Sequence, residues 1–240
     1  ESEDIYMDMT KTVLVTGAGS GLGYELTRLH AQDGWIVLAL EIKISEVLLE
    51  LQAKYPDLIH VIHCDVGSTE SVNLAIDKVR KIVDHIDRLF NNAGFDLVSD
   101  KVTLDKADLD FFTSFYNVNA VGPLRVVKAA LDLLREGSMI ITISSEAGSL
   151  ALRDDVISYG YCMSKAAMNM GARIMDNWLS QRGIQTIIIH PGRMRSALRG
   201  PHSNIDPWES AEGILNLIER LPDMPYKWNF FDYRGIPYPW

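Results

Sequence analysis

The chain predicts an α/β domain, a doubly wound parallel sheet of about seven strands with helices on both faces. Three observations carry this. Strand-like runs alternate with helical ones almost to the end of the 240 residues. The first run holds Val13, Leu14 and Val15 in succession, as a strand covered on both faces requires. Repeated β-then-α order implies parallel pairing through right-handed crossovers.

Taken in order, strands are expected at Thr12–Thr16, Ile36–Leu40, Leu58–Cys64, Arg88–Asn91, Met139–Ser144, Thr186–His190 and Trp228–Phe231. Helices are expected to begin near Ser20, Ile44, Thr69, Leu124, Tyr159 and Pro207. The third shows the logic: Thr69-Glu70-Ser71 gives an N-terminal signal, and Val72, Ala75, Ile76 and Val79 follow at helical spacing. No repeat, low-complexity segment or linker divides the chain, so residues 11–240 read as one domain. Residues 1–10, acidic and without pattern, read as a disordered end or an expression remnant.

Hydrophobic residues make up 47% of the chain, ample for one core. No apolar run reaches the roughly 18 residues needed to span a membrane. The acidic start lacks the basic-then-apolar order of a signal peptide, so a cytoplasmic location is expected. A net charge of −9 argues against nucleic acid as a partner. Cys64 and Cys162 offer neither a disulfide framework nor metal-ligand spacing, so free thiols and no metal are expected.

In such sheets ligands bind beyond the carboxyl ends of the strands. That rule selects the turns at Gly17, Glu41, Asp65, Asn92, Ser145 and Pro191. The first reads TVLVTGAGSGLGYEL, a buried run, a glycine-rich turn and a helix start. Gly17, Gly21 and Gly23 lack the Cβ that would block a tight turn and close approach of a phosphate. The helix that follows aims unpaired N–H groups at that phosphate, so a dinucleotide diphosphate is the expected ligand. The spacing is G-x-x-x-G-x-G rather than G-x-G-x-x-G, because Leu22 and Tyr24 stand where a glycine would be needed.

Glu41, at the end of the second strand, can accept hydrogen bonds from ribose hydroxyls and would repel a 2′-phosphate. NAD is therefore favoured over NADP, although Lys43 lies close and Glu41 could equally be a solvated loop residue. Asp65 either accepts from the adenine amino group or caps a turn in Asp65-Val66-Gly67-Ser68. Asn91-Asn92-Ala93-Gly94 can let the backbone approach the cofactor, or can be an ordinary turn. Tyr161 and Lys165 lie one helical turn apart on one face. A tyrosine is a poor base near neutral pH, and an adjacent ammonium favours its phenolate. Such a pair can exchange a proton with an alcohol or ketone, but an exposed helical pair would read the same.

From about Lys11 to Ala197 the chain resembles the classical short-chain dehydrogenase/reductases, whose domain is a Rossmann-type fold. TGAGSGLG (16–23) is similar to the family's cofactor loop, which assigns Gly17, Ser20, Gly21, Leu22 and Gly23 to the cofactor. Asp65-Val66 resembles its adenine corner, and Asn92, Ala93 and Gly94 its motif after the fourth strand. HPGRMRS (190–196) resembles its PG motif, adding Pro191, Gly192, Met194 and Ser196, the last where threonine is usual near the carboxamide. The resemblance implies a tetrad: Asn119 holding a relay water, Ser145 orienting the substrate carbonyl, Tyr161 as acid/base, and Lys165 also binding the nicotinamide ribose. The implied activity is hydride transfer between NAD(H) and a small secondary alcohol or ketone. The alternatives are an NADPH-dependent carbonyl reductase and a non-catalytic dinucleotide sensor.

Ser144 is a rival to Ser145 that would face the other side of the strand. The stretch from Ser145 to Tyr161 is longer than in many relatives, around Leu152-Arg153-Asp154-Asp155 beside the substrate. Arg193, Arg195 and Arg199 either recognise an acidic substrate or the diphosphate, or are solvated loop charges. The short segment from Ser196 to Pro207 makes a small lid and a compact substrate. The ending FFDYRGIPYPW resembles that of C-factor and sniffer-like carbonyl reductases. Ala166, Ala167, Gly171 and Ala172 permit close helix packing, either within the subunit or, as in the family, in a homodimer or homotetramer.

Overall fold

The computed structural model describes residues 10–195, 204–223 and 229–240. Seven strands form one sheet in the order β3-β2-β1-β4-β5-β6-β7, every neighbouring pair parallel. They are β1 (Thr12–Thr16), β2 (Ile36–Glu41), β3 (Ile59–His63), β4 (Arg88–Asn91), β5 (Met139–Ile143), β6 (Gln185–His190) and β7 (Phe230–Asp232). The main helices are α1 (Gly21–Gln32), α2 (Glu46–Lys54), α3 (Thr69–Val79), α4 (Phe112–Phe115), α5 (Gly122–Ala129), α6 (Tyr159–Leu179) and α7 (Pro207–Arg220).

The pleat explains the uninterrupted apolar strands. Val13 and Val15 join a core with Leu22 and Leu26 of α1, Leu48 of α2 and Ile214 of α7. Leu14, between them, points the other way and packs with Ile76 of α3, Val126 of α5 and Met175 of α6. Each central strand is thus buried on both faces. Strand order reverses at β1, which pairs with β2 on one side and β4 on the other. The crevice beyond that reversal is where an open α/β sheet takes its ligand.

Most boundaries fall within two residues of expectation. Helix α2 begins at Glu46 rather than near Ile44 because Ser45 caps it, accepting from the Leu48 N–H at 3.3 Å. The expected Trp228 start of the last strand lies outside the described residues. One region differs in kind. Before α5, which begins at Gly122 rather than Leu124, stand α4 and a π-helical segment, Tyr116–Val121. Sequence periodicity cannot show a wider turn, and Asn119 and Ala120 are its buried residues.

Candidate active site

Two adjoining cavities open at the carboxyl edge of the sheet. The larger, about 430 Å³, is lined by Gly17, Ser20, Leu22, Glu41, Asp65, Val66, Asn92, Ala93, Gly94, Val118 and Met194, among others. The backbone turns out of β1 through Gly17, whose φ of +67° is the left-handed region. At Gly23 a side chain would fall on the Gly17 carbonyl and 2.6 Å from Asn92 Nδ2, so α1 can start beneath the loop only with glycine there. Ser20 precedes α1 without a side-chain cap, and the first turn carries no acidic residue. Donors and the positive end of the helix dipole are left for an anion at this wall.

Glu41 is engaged. Its Oε2 accepts from the Gly19 N–H at 2.6 Å, and Oε1 from the Ile42 and Lys43 N–H groups at 2.9 and 3.3 Å. A carboxylate has about four acceptor positions, so capacity is left toward the cavity. Asp65 accepts from the Gly67 N–H at 2.8 Å, the turn-capping role, while still lining the cavity. Asn92 is a staple: Nδ2 donates to the carbonyls of Thr16 and Gly17 at 2.9 and 3.0 Å. Thr16 Oγ1 accepts from the Asn92 and Ala93 N–H groups, both at 3.0 Å, fixing the two turns to each other.

The second cavity, about 190 Å³, holds Ser145, Tyr161 and Lys165 together with Phe95, Asp96, His190, Pro191 and Gly192. It shares Asn92, Gly94, Phe95 and Met194 with the first. Lys165 is 5% exposed; its Nζ donates to the Ile143 carbonyl at 3.0 Å and lies 5.8 Å from the Tyr161 ring centroid. Ser145 Oγ accepts from the Ala147 N–H at 3.1 Å. Ser144 is spent elsewhere, donating to Asn169 Oδ1 at 2.6 Å.

Asn119 is not in the cavity wall. It is fully buried behind Gly94 and Phe95, accepting from the Phe95 N–H at 2.9 Å and donating to the Phe95 carbonyl and Ser164 Oγ, both at 3.0 Å. The structure thus brings three residues of the expected tetrad together and places the fourth, expected to hold a relay water, one layer back. Arg193 pairs with Glu146 at 2.8 Å and Arg195 with Asp206 at 2.9 Å, both at the surface. Ser196 and Arg199 lie outside the described residues.

Sequence reasoning missed three contributors. Phe95 follows the quoted Asn-Asn-Ala-Gly run, and His190 opens the HPG motif, so their positions were signalled although their roles were not. Asp100 had no signal. Its carboxylate accepts from the Gly160 and Tyr161 N–H groups at 3.1 and 2.9 Å, capping α6 from a distant loop. The preceding Ser158 adopts a φ of +64° to enter that helix. Among the described residues no cluster of acidic, His and Cys side chains could hold a metal, and no helix is long and apolar enough to cross a membrane.

The short chain dehydrogenase family profile matches residues 11–205. The chain belongs to that family. C-signal of Myxococcus xanthus is 37% identical over 158 residues, covering 65% of this chain and 93% of its own. An oxidoreductase of Schizosaccharomyces pombe is 30% identical over 252 residues, covering 96% of this chain and 98% of its own. An NADPH-bound carbonyl reductase from chicken fatty liver superposes with a TM-score of 0.84 at 26% identity, covering 96% and 99% of the two chains. As a short-chain dehydrogenase the protein is an oxidoreductase whose fold binds a nicotinamide dinucleotide.

Proposed function

We propose that this protein interconverts a small secondary alcohol and its ketone, with NAD preferred over NADP. The observation that carries the reading is the meeting of Ser145, Tyr161 and Lys165 in a cavity that shares a wall with the larger trough. The trough fits a dinucleotide: its glycine loop leaves no room for a side chain at Gly23, and an uncapped helix start stands at its wall. Gly17, Ser20, Gly21, Leu22 and Gly23 would hold the diphosphate, Glu41 the ribose, and Asp65 and Val66 the adenine edge. Asn92, Ala93, Gly94, Lys165, Pro191, Gly192, Met194 and Ser196 would surround the nicotinamide end.

When bound, the nicotinamide supplies or takes the hydride. Tyr161 gives a proton to the carbonyl oxygen during reduction and takes it back during oxidation. The ammonium of Lys165 stabilises the phenolate between these events. Ser145 donates to the same substrate oxygen and fixes the carbonyl beside Tyr161. Asn119 acts from behind, holding the Phe95 backbone and α6 through Ser164.

Glu41 supports NAD, because its charge opposes a 2′-phosphate; the chicken reductase, solved with NADPH, argues for the other nucleotide. The exposed stripe Met163, Met170, Ile174 and Trp178 on α6 supports a second copy of the chain as partner, in a homodimer or homotetramer. The free thiols of Cys64 and Cys162 suit a cytoplasmic location. Tyr161→Phe tests the reaction. Turnover in both directions should fall by about 10²–10⁴-fold, the usual contribution of a positioned acid/base, while dinucleotide affinity is kept. Wild-type rates in that variant would refute the assignment.

A further inference from the structure

The catalytic cavity has two walls from separate loops. One follows β5 and carries Ser145; the other follows β6 and carries Pro191 and Gly192. His190 joins them. It is 7% exposed, and its Nδ1 lies 3.1 Å from the N–H of Glu146, the residue next to Ser145. A backbone N–H can only donate, so Nδ1 is the acceptor and the neutral ring carries its proton on Nε2. Arg193, on the same loop, reaches the Glu146 carboxylate at 2.8 Å. Tyr238, from the chain beyond β7, backs the imidazole with ring centroids 5.1 Å apart.

We propose that His190 is a positioning residue for the reaction assigned above: through Nδ1 it sets the turn that aims the Ser145 hydroxyl at the substrate oxygen. The turn at 145–148 is short and its internal bonds are few. Ser145 Oγ accepts from Ala147 N–H, and the Ser145 carbonyl from Gly148 N–H at 3.0 Å. Asn169 holds the far end through the Gly148 carbonyl. Two bonds cross to the opposite wall at Glu146: the surface ion pair of its side chain with Arg193, and the buried one from its N–H, which only an acceptor at Nδ1's position makes.

This inference rests on the alcohol/ketone reading, and two measurements separate their failures. His190→Phe keeps a ring in place and removes the acceptor. His190→Asn restores an acceptor at the same number of bonds from Cα. In His190→Phe the Glu146 amide should exchange with solvent about tenfold faster by NMR, and kcat should fall about tenfold, one lost hydrogen bond in each case. Affinity for NADH should stay within about twofold, because no bond to the trough is lost. His190→Asn should recover both properties. The proposal is overturned if Glu146 exchange in His190→Phe matches wild type, or if the Phe and Asn variants lose kcat equally. A wild-type protein without turnover on any alcohol or ketone would remove the activity reading, and the exchange data would still decide the strut.

Discussion

Glu41 is bound on three sides by backbone N–H groups, and one of those bonds reaches back into the glycine turn at Gly19. Its carboxylate therefore shapes the loop and charges the trough at once. Replacing it by glutamine removes the charge and keeps one acceptor oxygen, so either the Gly19 bond or the Ile42 and Lys43 bonds are given up. The ratio of two dinucleotide affinities, which share that loop, then reads the charge. In Glu41→Gln the ratio of Kd for NADPH to Kd for NADH, measured by fluorescence titration, should fall about tenfold, the size of one partly screened like-charge contact. An unchanged ratio would leave Glu41 as a loop tie only and favour NADP. At this scale the sequence left Asp65 open between the adenine and its own turn, and offered no sign of the Asn92 bonds to the glycine loop. Asp65 caps its own turn and Asn92 holds the glycine loop, because short polar side chains take the nearest backbone partner first.

Among the elements, α6 carries two kinds of information. Its inner face holds Lys165, Met168, Ala172 and Met175 in the fold; its outer face exposes Met163, Met170, Ile174 and Trp178. The outer residues are spaced so that one side of the helix is apolar along most of its length. Ala172 packs with Ile188 and Phe230, and Gly171 meets Leu124, so these small residues serve the subunit itself. The outer stripe is what a partner copy would cover, and a stable pair buries about 800 Å² on each side. Light scattering should give a dimer or tetramer, shifted toward monomer by Ile174→Glu. A monomer at every concentration would remove the assembly. Elements with clean periodicity, such as α3 and the strands, were legible almost to the residue. The Phe112–Val121 stretch was not, since its turns change pitch and its exposed Tyr116 interrupts any apolar stripe.

For the whole molecule, His30, near the amino-terminal edge of the sheet, adds a pH-dependent share to stability. His30 is 1% exposed; its Nδ1 donates to the Leu26 carbonyl at 2.7 Å, so Nε2 faces the Arg88 guanidinium at 3.4 Å as an acceptor. Burial, helped by Arg88 and opposed by the Leu26 bond and Glu219, lowers its pKa from 6.5 to about 4. The unfolded chain then binds more protons than the folded one between those values. His30's contribution is whole above pH 6.5 and is lost as pH falls toward 4, on the order of 3 kcal/mol in all. Urea midpoints should drop across that window in wild type, and less steeply in His30→Leu. Equal slopes would mean another group controls acid unfolding. No sequence pattern marked His30, because its partners Trp35, Phe90 and Arg88 meet it only through the fold. The sheet order has a further consequence during synthesis. Strand β4 ends at Asn91 and its partner β5 begins only at Met139, so a growing chain shows β4's open edge while the intervening residues are made. At ribosomal speed that exposure lasts roughly 2–10 s, long enough for edge-to-edge association. Residues 92–138 must all be made before β5 can cover that edge.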